Sequence, residues 1–229
     1  MKKYIIVIML LIGLQSCRTD SVDGYEMKVL NEIFDSLIEE MGTLSEFESP
    51  PPTKIQFFDD NNNVIGYDTV RYKKKIDEVE KGNSKMRDTT FVIAVFDTLF
   101  TCYDKKMDVK YIQNQLIEQG YIEAFNTMKN HSIISNPLNL SEIGNRKRVT
   151  LKYYSEFPRG SKIWERENYG FLFSGILEIS RIYFDAKKQF GLFYSSYICG
   201  RLCGEEAIIC IRKINNKWTI EKKILLGVS

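Results

Sequence analysis

The chain has one histidine, His131, two tryptophans, five cysteines, five prolines and 14 glycines in 229 residues. Each shortage excludes something. A lone histidine leaves no material for a His-rich metal cluster, and neither an HExxH helix nor a nucleophile elbow accompanies it. Between Asn130 and Ser132 it reads as a solvated loop side chain. Few prolines and glycines without a period rule out collagen-like and low-complexity structure. There is no Gly-rich phosphate loop and no dinucleotide fingerprint, so no cofactor is expected. No apolar run approaches the roughly 20 residues that a membrane-spanning helix needs.

What is present is a core. Apolar residues make up 44% of the chain and charged ones 27%, with 14 Phe and 13 Tyr, enough for a folded body without staples. At the start, Lys2 and Lys3 precede an apolar run from Tyr4 to Leu14, followed by Gln15, Ser16 and Cys17. A charged segment, a short apolar segment and a small-residue cut site describe a secretory signal peptide over residues 1–16.

Leu14, Ser16 and Cys17 resemble the lipobox of bacterial lipoproteins, although Gln15 stands where a small residue is usual. The resemblance implies cleavage before Cys17 and attachment of a diacylglycerol to its sulfur. The alternative is an ordinary secretory leader with an incidental cysteine. Several acyl chains, at about 0.8 kcal/mol per buried CH₂, would anchor the body without a spanning helix. Loss of the leader removes two lysines and no acid, which brings the 32 basic side chains level with the 30 acidic ones. A neutral, exported body argues against nucleic acid as a partner.

Residues 17–23 read as a lipidated tether and 24–229 as a globular α+β body, with a boundary near 140–150 if it forms two subdomains. From Gly24 to Met41, apolar residues recur at three- and four-residue steps (Met27, Leu30, Ile33, Phe34, Leu37, Ile38), which predicts an amphipathic helix stopped by Gly42. Pro50, Pro51 and Pro52 read as a stiff spacer. Lys54–Phe58 and Val64–Thr69 read as a hairpin around Asp59-Asp60-Asn61-Asn62-Asn63. That turn is no EF-hand, because Val64 and Val70 stand where glycine and glutamate are required.

Arg71–Met86 predicts a charged surface helix broken near Gly82, and its basic run Arg71, Lys73, Lys74, Lys75 reads as a solvated face. Thr90–Phe100 predicts a buried strand, Val109–Met128 a helix broken near Gly120, and Arg146–Tyr154 a strand. Four further runs, Ile176–Phe184, Phe190–Cys199, Glu205–Lys213 and Lys217–Leu225, predict a C-terminal four-stranded antiparallel meander. In the last run Trp218, Ile220 and Ile224 are expected on one buried face, with Lys222 breaking the alternation. Gly200 and Gly204 are read as turn residues with positive φ.

Ile179-Ser180-Arg181, Cys199-Gly200-Arg201-Leu202-Cys203-Gly204 and Asn216-Lys217-Trp218 look like the C-terminal region of uncharacterised lipoproteins common in Bacteroidota. That resemblance implies no activity and supports only the address and the meander.

Beyond Cys17 four cysteines remain. Cys199 and Cys203, at the mouth of a hairpin, are candidates for a disulfide in an oxidising envelope, with two free thiols as the alternative. A redox pair is the sharper reading, with Arg201 favouring the thiolate, but CxxxC between strands lacks the helix N-terminus that lowers a thiol pKa. Cys210, among Ile208, Ile209 and Ile211, reads as core, so a four-cysteine metal site is not expected. Glu165 and Glu167 beside Trp164 and Tyr169 form a weak carboxylate pair of glycosidase type.

The expectation is therefore a lipid-anchored cell-envelope protein, at the outer membrane or a periplasmic face, with a binding role rather than catalysis. Its partner would be an envelope protein or glycan. The alternatives are a thiol redox enzyme using Cys199 and Cys203, or a toxin-neutralising protein.

Overall fold

The computed structural model describes residues 22–43, 52–102, 105, 107–130 and 134–229. The leader, Cys17, Pro50, Pro51 and His131 lie outside the described residues. The chain has an α+β fold whose centre is a mixed sheet of seven strands.

Helix α1 (Val22–Glu40) covers one face of that sheet. Its buried side chains are the predicted stripe: Met27, Leu30, Ile33, Phe34, Leu37 and Ile38 are each at most 4% exposed. Each such residue contributes roughly 1.5–3 kcal/mol on removal from water. Gly42, at φ 62°, ends the helix, and Thr43 then donates its amide to Ile38 O. The same turn docks on the sheet, where Ser174 and Tyr197 hydroxyls both donate to the Thr43 carbonyl.

Strands β1 (Gln56–Phe58) and β2 (Val64–Tyr67) form the predicted hairpin, and α2 (Thr69–Arg87) follows. Asp59 organises the turn by accepting the amides of Asn61 and Asn63, and those bonds hold its carboxyl below the usual range. Helix α2 runs through Gly82 without the expected break. A glycine costs a helix only about 1 kcal/mol relative to alanine, and four turns of favourable neighbours outweigh that.

The predicted strand Thr90–Phe100 divides into β3 (Phe91–Val95) and β4 (Thr98–Leu99). The predicted helix Val109–Met128 divides into α3 (Val109–Gln115) and α4 (Gln119–Asn130). The break falls at Leu116, before Gly120, because Leu116 turns into the core. Gly120 lies inside α4 for a different reason. A Cβ there would run into the Phe190 ring, so the glycine permits close helix–sheet contact.

After β5 (Asn136–Pro137) and α5 (Leu140–Ile143) come β6 (Val149–Tyr153), three short 3₁₀ turns over 154–168, and the meander. The meander comprises β7 (Leu172–Ile179), β8 (Tyr183–Phe184), β9 (Phe190–Gly200), β10 (Cys203–Ile214) and β11 (Lys217–Val228). The spatial order is β11-β10-β9-β7-β3-β6, with β8 beside β9. β3 lies parallel to both β6 and β7, so strands from either side of residues 140–150 share one sheet. Buried on both faces, β3 is apolar at all five positions, as parallel central strands are.

The run Ile176–Phe184 is not one strand: Ser180–Ile182 interrupt it, and Arg181 leaves the ladder to pair with Glu26. Asn215 and Asn216, at φ 50° and 63°, make the tight β10–β11 turn. The alternation in β11 is corrected by a bulge. Ile211 pairs with Ile220 and Cys210 with Lys222, which leaves Glu221 unmatched. Trp218 and Ile220 consequently pack under α1, while Ile224 joins the opposite face. Lys222 marked the fault in the sequence, and the bulge is its cause.

Candidate functional site

The face opposite α1 is covered in two pieces. Helices α3 and α4 bury Leu192, Tyr194, Ile208, Cys210 and Ile224, and the 3₁₀ turns bury Val92, Ala94, Phe173 and Ile176. The α4 cover ends at a definite row of the sheet. Tyr194, Ile208 and Ile224 lie side by side on β9, β10 and β11 as the last apolar row. The next row is polar, with Glu178, Ser196 and Glu206 aligned across β7, β9 and β10. Beyond it come Ile198 and Gly204, also paired.

This uncovered end of the sheet forms a groove of about 370 Å³ lined by Ser196, Ile198, Arg201, Glu205, Glu206 and Val228 among others. That volume falls in the range of small-molecule sites, about 300–1,000 Å³.

Its charges are unevenly matched. Lys105 Nζ donates to Glu178 Oε2 at 2.9 Å, and Ser196 Oγ donates to the same oxygen at 3.3 Å. Lys105 also stands over the Phe100 and Tyr194 rings, at 5.0 and 4.8 Å from their centroids. Glu205 pairs with Lys223 at 2.9 Å. Glu206 has no ion-pair partner among the described residues. Tyr194 is 1% exposed, and its hydroxyl lies beside Ser196 and Glu206. Burial, and then the adjacent Glu206 charge, push its pKa well above the usual phenol value.

Cys199 and Cys203 flank the groove-lining Gly200 and Arg201 and are joined in a disulfide, with Cα atoms 5.2 Å apart. The Arg166 guanidinium donates to the Cys199 carbonyl at 2.6 Å and to that of Ser174 at 3.2 Å, which ties the 3₁₀ turns to the strand end that carries the bridge. Gly200 and Gly204 do not have positive φ, contrary to expectation. Gly204 instead allows close approach, its missing Cβ lying 3.0 Å from Ser229 Oγ and 3.4 Å from Tyr197 O. Gly175 likewise lets β7 approach β9, where a Cβ would strike the Ile198 carbonyl.

Cys102 and Cys210 are free and buried in the layer under α4. Burial raises both thiols, that of Cys210 to about 12, so neither is a nucleophile at neutral pH. Glu165 stands at the junction between two 3₁₀ turns and Glu167 lies within the second, so the pair is not on a strand. Glu165 accepts from the Asn168 amide, and Trp164 and Tyr169 pack on Phe173, so the segment is a lid over β7 rather than a cleft.

None of Tyr194, Ser196, Glu178, Glu206 and Lys105 stood out in the sequence as a site. The available signal was the hydroxyl pair Ser195-Ser196 and the lone Glu178 inside otherwise apolar strands. No family model, curated protein or solved structure matches the chain. Among the described residues no helix is long and apolar enough to cross a membrane, and no cluster of metal-ligating side chains is present.

Proposed function

We propose that this protein is a lipid-anchored cell-envelope protein with a non-catalytic binding role, held at a membrane through acylated Cys17 and presenting the groove at the disulfide end of its sheet to a partner. The observation that carries the binding role is the groove beside the polar row Glu178, Ser196 and Glu206, at the end of the sheet where the α4 layer stops. Support for the anchor is the leader and its lipobox-like end, Leu14 to Cys17. A bridged Cys199–Cys203 pair suits an oxidising compartment. Metabolic labelling with an alkyne fatty acid, followed by fractionation, tests the anchor. The wild type should carry label and sediment with membranes, and Cys17→Ala should lose the label and release the body. Membrane association that survives Cys17→Ala overturns the anchor.

A thiol redox enzyme is the second reading, favoured by one observation: Cys199 and Cys203 are joined in a disulfide across the turn that carries the groove-lining Gly200 and Arg201. Against it, the pair lies at a strand–turn–strand junction, where no helix dipole stabilises a thiolate.

A further inference from the structure

Helix α1 runs along the sheet, and its two ends meet different surroundings. Its last turn reaches the disulfide end, where the Ser174 and Tyr197 hydroxyls donate to the Thr43 carbonyl and Lys223 Nζ donates to the Glu40 carbonyl. Its first turn lies at the opposite end. There the Tyr25 ring packs on Phe184 at 5.4 Å between centroids, Phe184 packs on Trp218 at 5.3 Å, and Lys188 Nζ stands 4.3 Å from the centroid of the Tyr25 ring. The Lys213 amide donates to the Gln189 carbonyl at 2.8 Å. These contacts gather the start of α1, the turn over 185–189 and the β10–β11 turn at one end of the molecule.

That end is basic. Lys187, Lys188 and Lys217 are exposed, Lys213 is half-buried, and none of the four has a carboxylate partner among the described residues. Two acids are bonded to the same turn: Asp185, which accepts the Gln189 and Phe190 amides, and Glu123, which accepts that of Ala186. The lysines outnumber them. Ile214, 47% exposed, adds an apolar side chain beside Lys213.

The chain leaves the body at this end. Cys17 precedes the start of α1 at Val22 by five residues, and such a segment spans no more than roughly 18 Å even when fully extended. A lipid on Cys17 thus keeps the four lysines within reach of the headgroups.

We propose that the end carrying Lys187, Lys188, Lys213 and Lys217 docks on anionic phospholipid headgroups of the membrane that holds the acyl chains, and so turns the groove outward. The proposal rests on the lipid anchor above. Ammonium groups are drawn to a negatively charged surface, and the tether supplies the local concentration that such weak contacts lack by themselves. Helix α1, 19 residues at a rise of about 1.5 Å each, sets the groove end roughly 28 Å further from that surface. Lysines screened by salt do not retain a body that has lost its lipid, so Cys17→Ala is still released.

The test uses the acylated protein on vesicles of phosphatidylcholine or of phosphatidylglycerol, with lysines lightly modified by acetic anhydride and read by peptide mass spectrometry. On phosphatidylglycerol the four lysines should be modified about threefold less than on phosphatidylcholine, as expected for amines held at an anionic surface. Lys73, Lys74 and Lys75 of α2 should react alike on both, and molar salt should erase the difference at the other four. Lys187→Gln combined with Lys217→Gln should return Lys213 toward its phosphatidylcholine level. Equal modification of the four lysines on the two vesicles, or protection of the α2 lysines in their place, overturns the docking. Sedimentation with phosphatidylcholine vesicles reads the anchor separately: it persists when only the docking fails and is lost when the anchor fails.

Discussion

The two faces of the central sheet are built on different terms. Under α1 the sheet is sealed along its length: a single apolar stripe meets Ile93, Leu177, Phe193, Ile209 and Ile211, and the buried charges there are matched. Glu26, 1% exposed, accepts from Arg181 Nε and from the Ile182 amide, each at 2.7 Å, while Arg181 Nη1 donates to the Ile134 carbonyl at 2.6 Å. The other face is covered by two separate layers that stop short of the disulfide end, and there the Glu206 carboxylate has no ion-pair partner among the described residues. Equal burial of strand residues on the two faces thus serves two ends. One face closes the fold, and the other ends in a polar row at the open end of the sheet.

The sharpest way to break this comparison is to remove a carboxylate from each face. Glu26→Ala strands the Arg181 charge in the interior and should destabilise by about 3–5 kcal/mol in urea unfolding. Glu206→Ala, at the open groove, should change stability by less than about 0.5 kcal/mol. Comparable losses at the two sites would show that the groove is part of the closed core.

A smaller effect is expected where the α4 layer meets the sheet. Gly120→Ala forces a methyl group into the Phe190 ring and should cost about 1–3 kcal/mol despite the better helix propensity of alanine. Phe190→Leu in the same chain should recover part of that loss. An additive double variant would count against the contact.

Removing the disulfide is expected to have an effect of similar size. Closing a loop of only five residues restricts the unfolded chain modestly, so replacing both Cys199 and Cys203 by serine should lower stability by about 2 kcal/mol in the chain-entropy model. Partner or ligand binding should persist in that variant. Loss of function with intact folding would favour the redox reading instead.

Much of the fold was legible before any coordinates. The α1 stripe, the β1–β2 hairpin and the meander all follow from periodicity and turn chemistry, which are local properties. The misreadings share a cause. Gly120 looks like a breaker until Phe190, 70 positions away, is seen against it, and the fault at Lys222 has no explanation until β10 supplies the bulge register. Likewise Glu165 and Glu167 read as a carboxylate pair because the chain-local pattern does not distinguish an extended segment from a 3₁₀ turn.

By itself the sequence determined the class of the fold, the places where helix gives way to strand, and which residues of each element turn inward, because hydrophobic period and backbone preference act over a few neighbours. Only the tertiary structure decided that β3 inserts between β6 and β7, that Glu26 meets Arg181 across 155 positions, and that Glu178, Ser196 and Glu206 line up in one row. Strand order and register assemble side chains that are remote along the chain, and a groove is defined by where the covering helix ends, which no local pattern records.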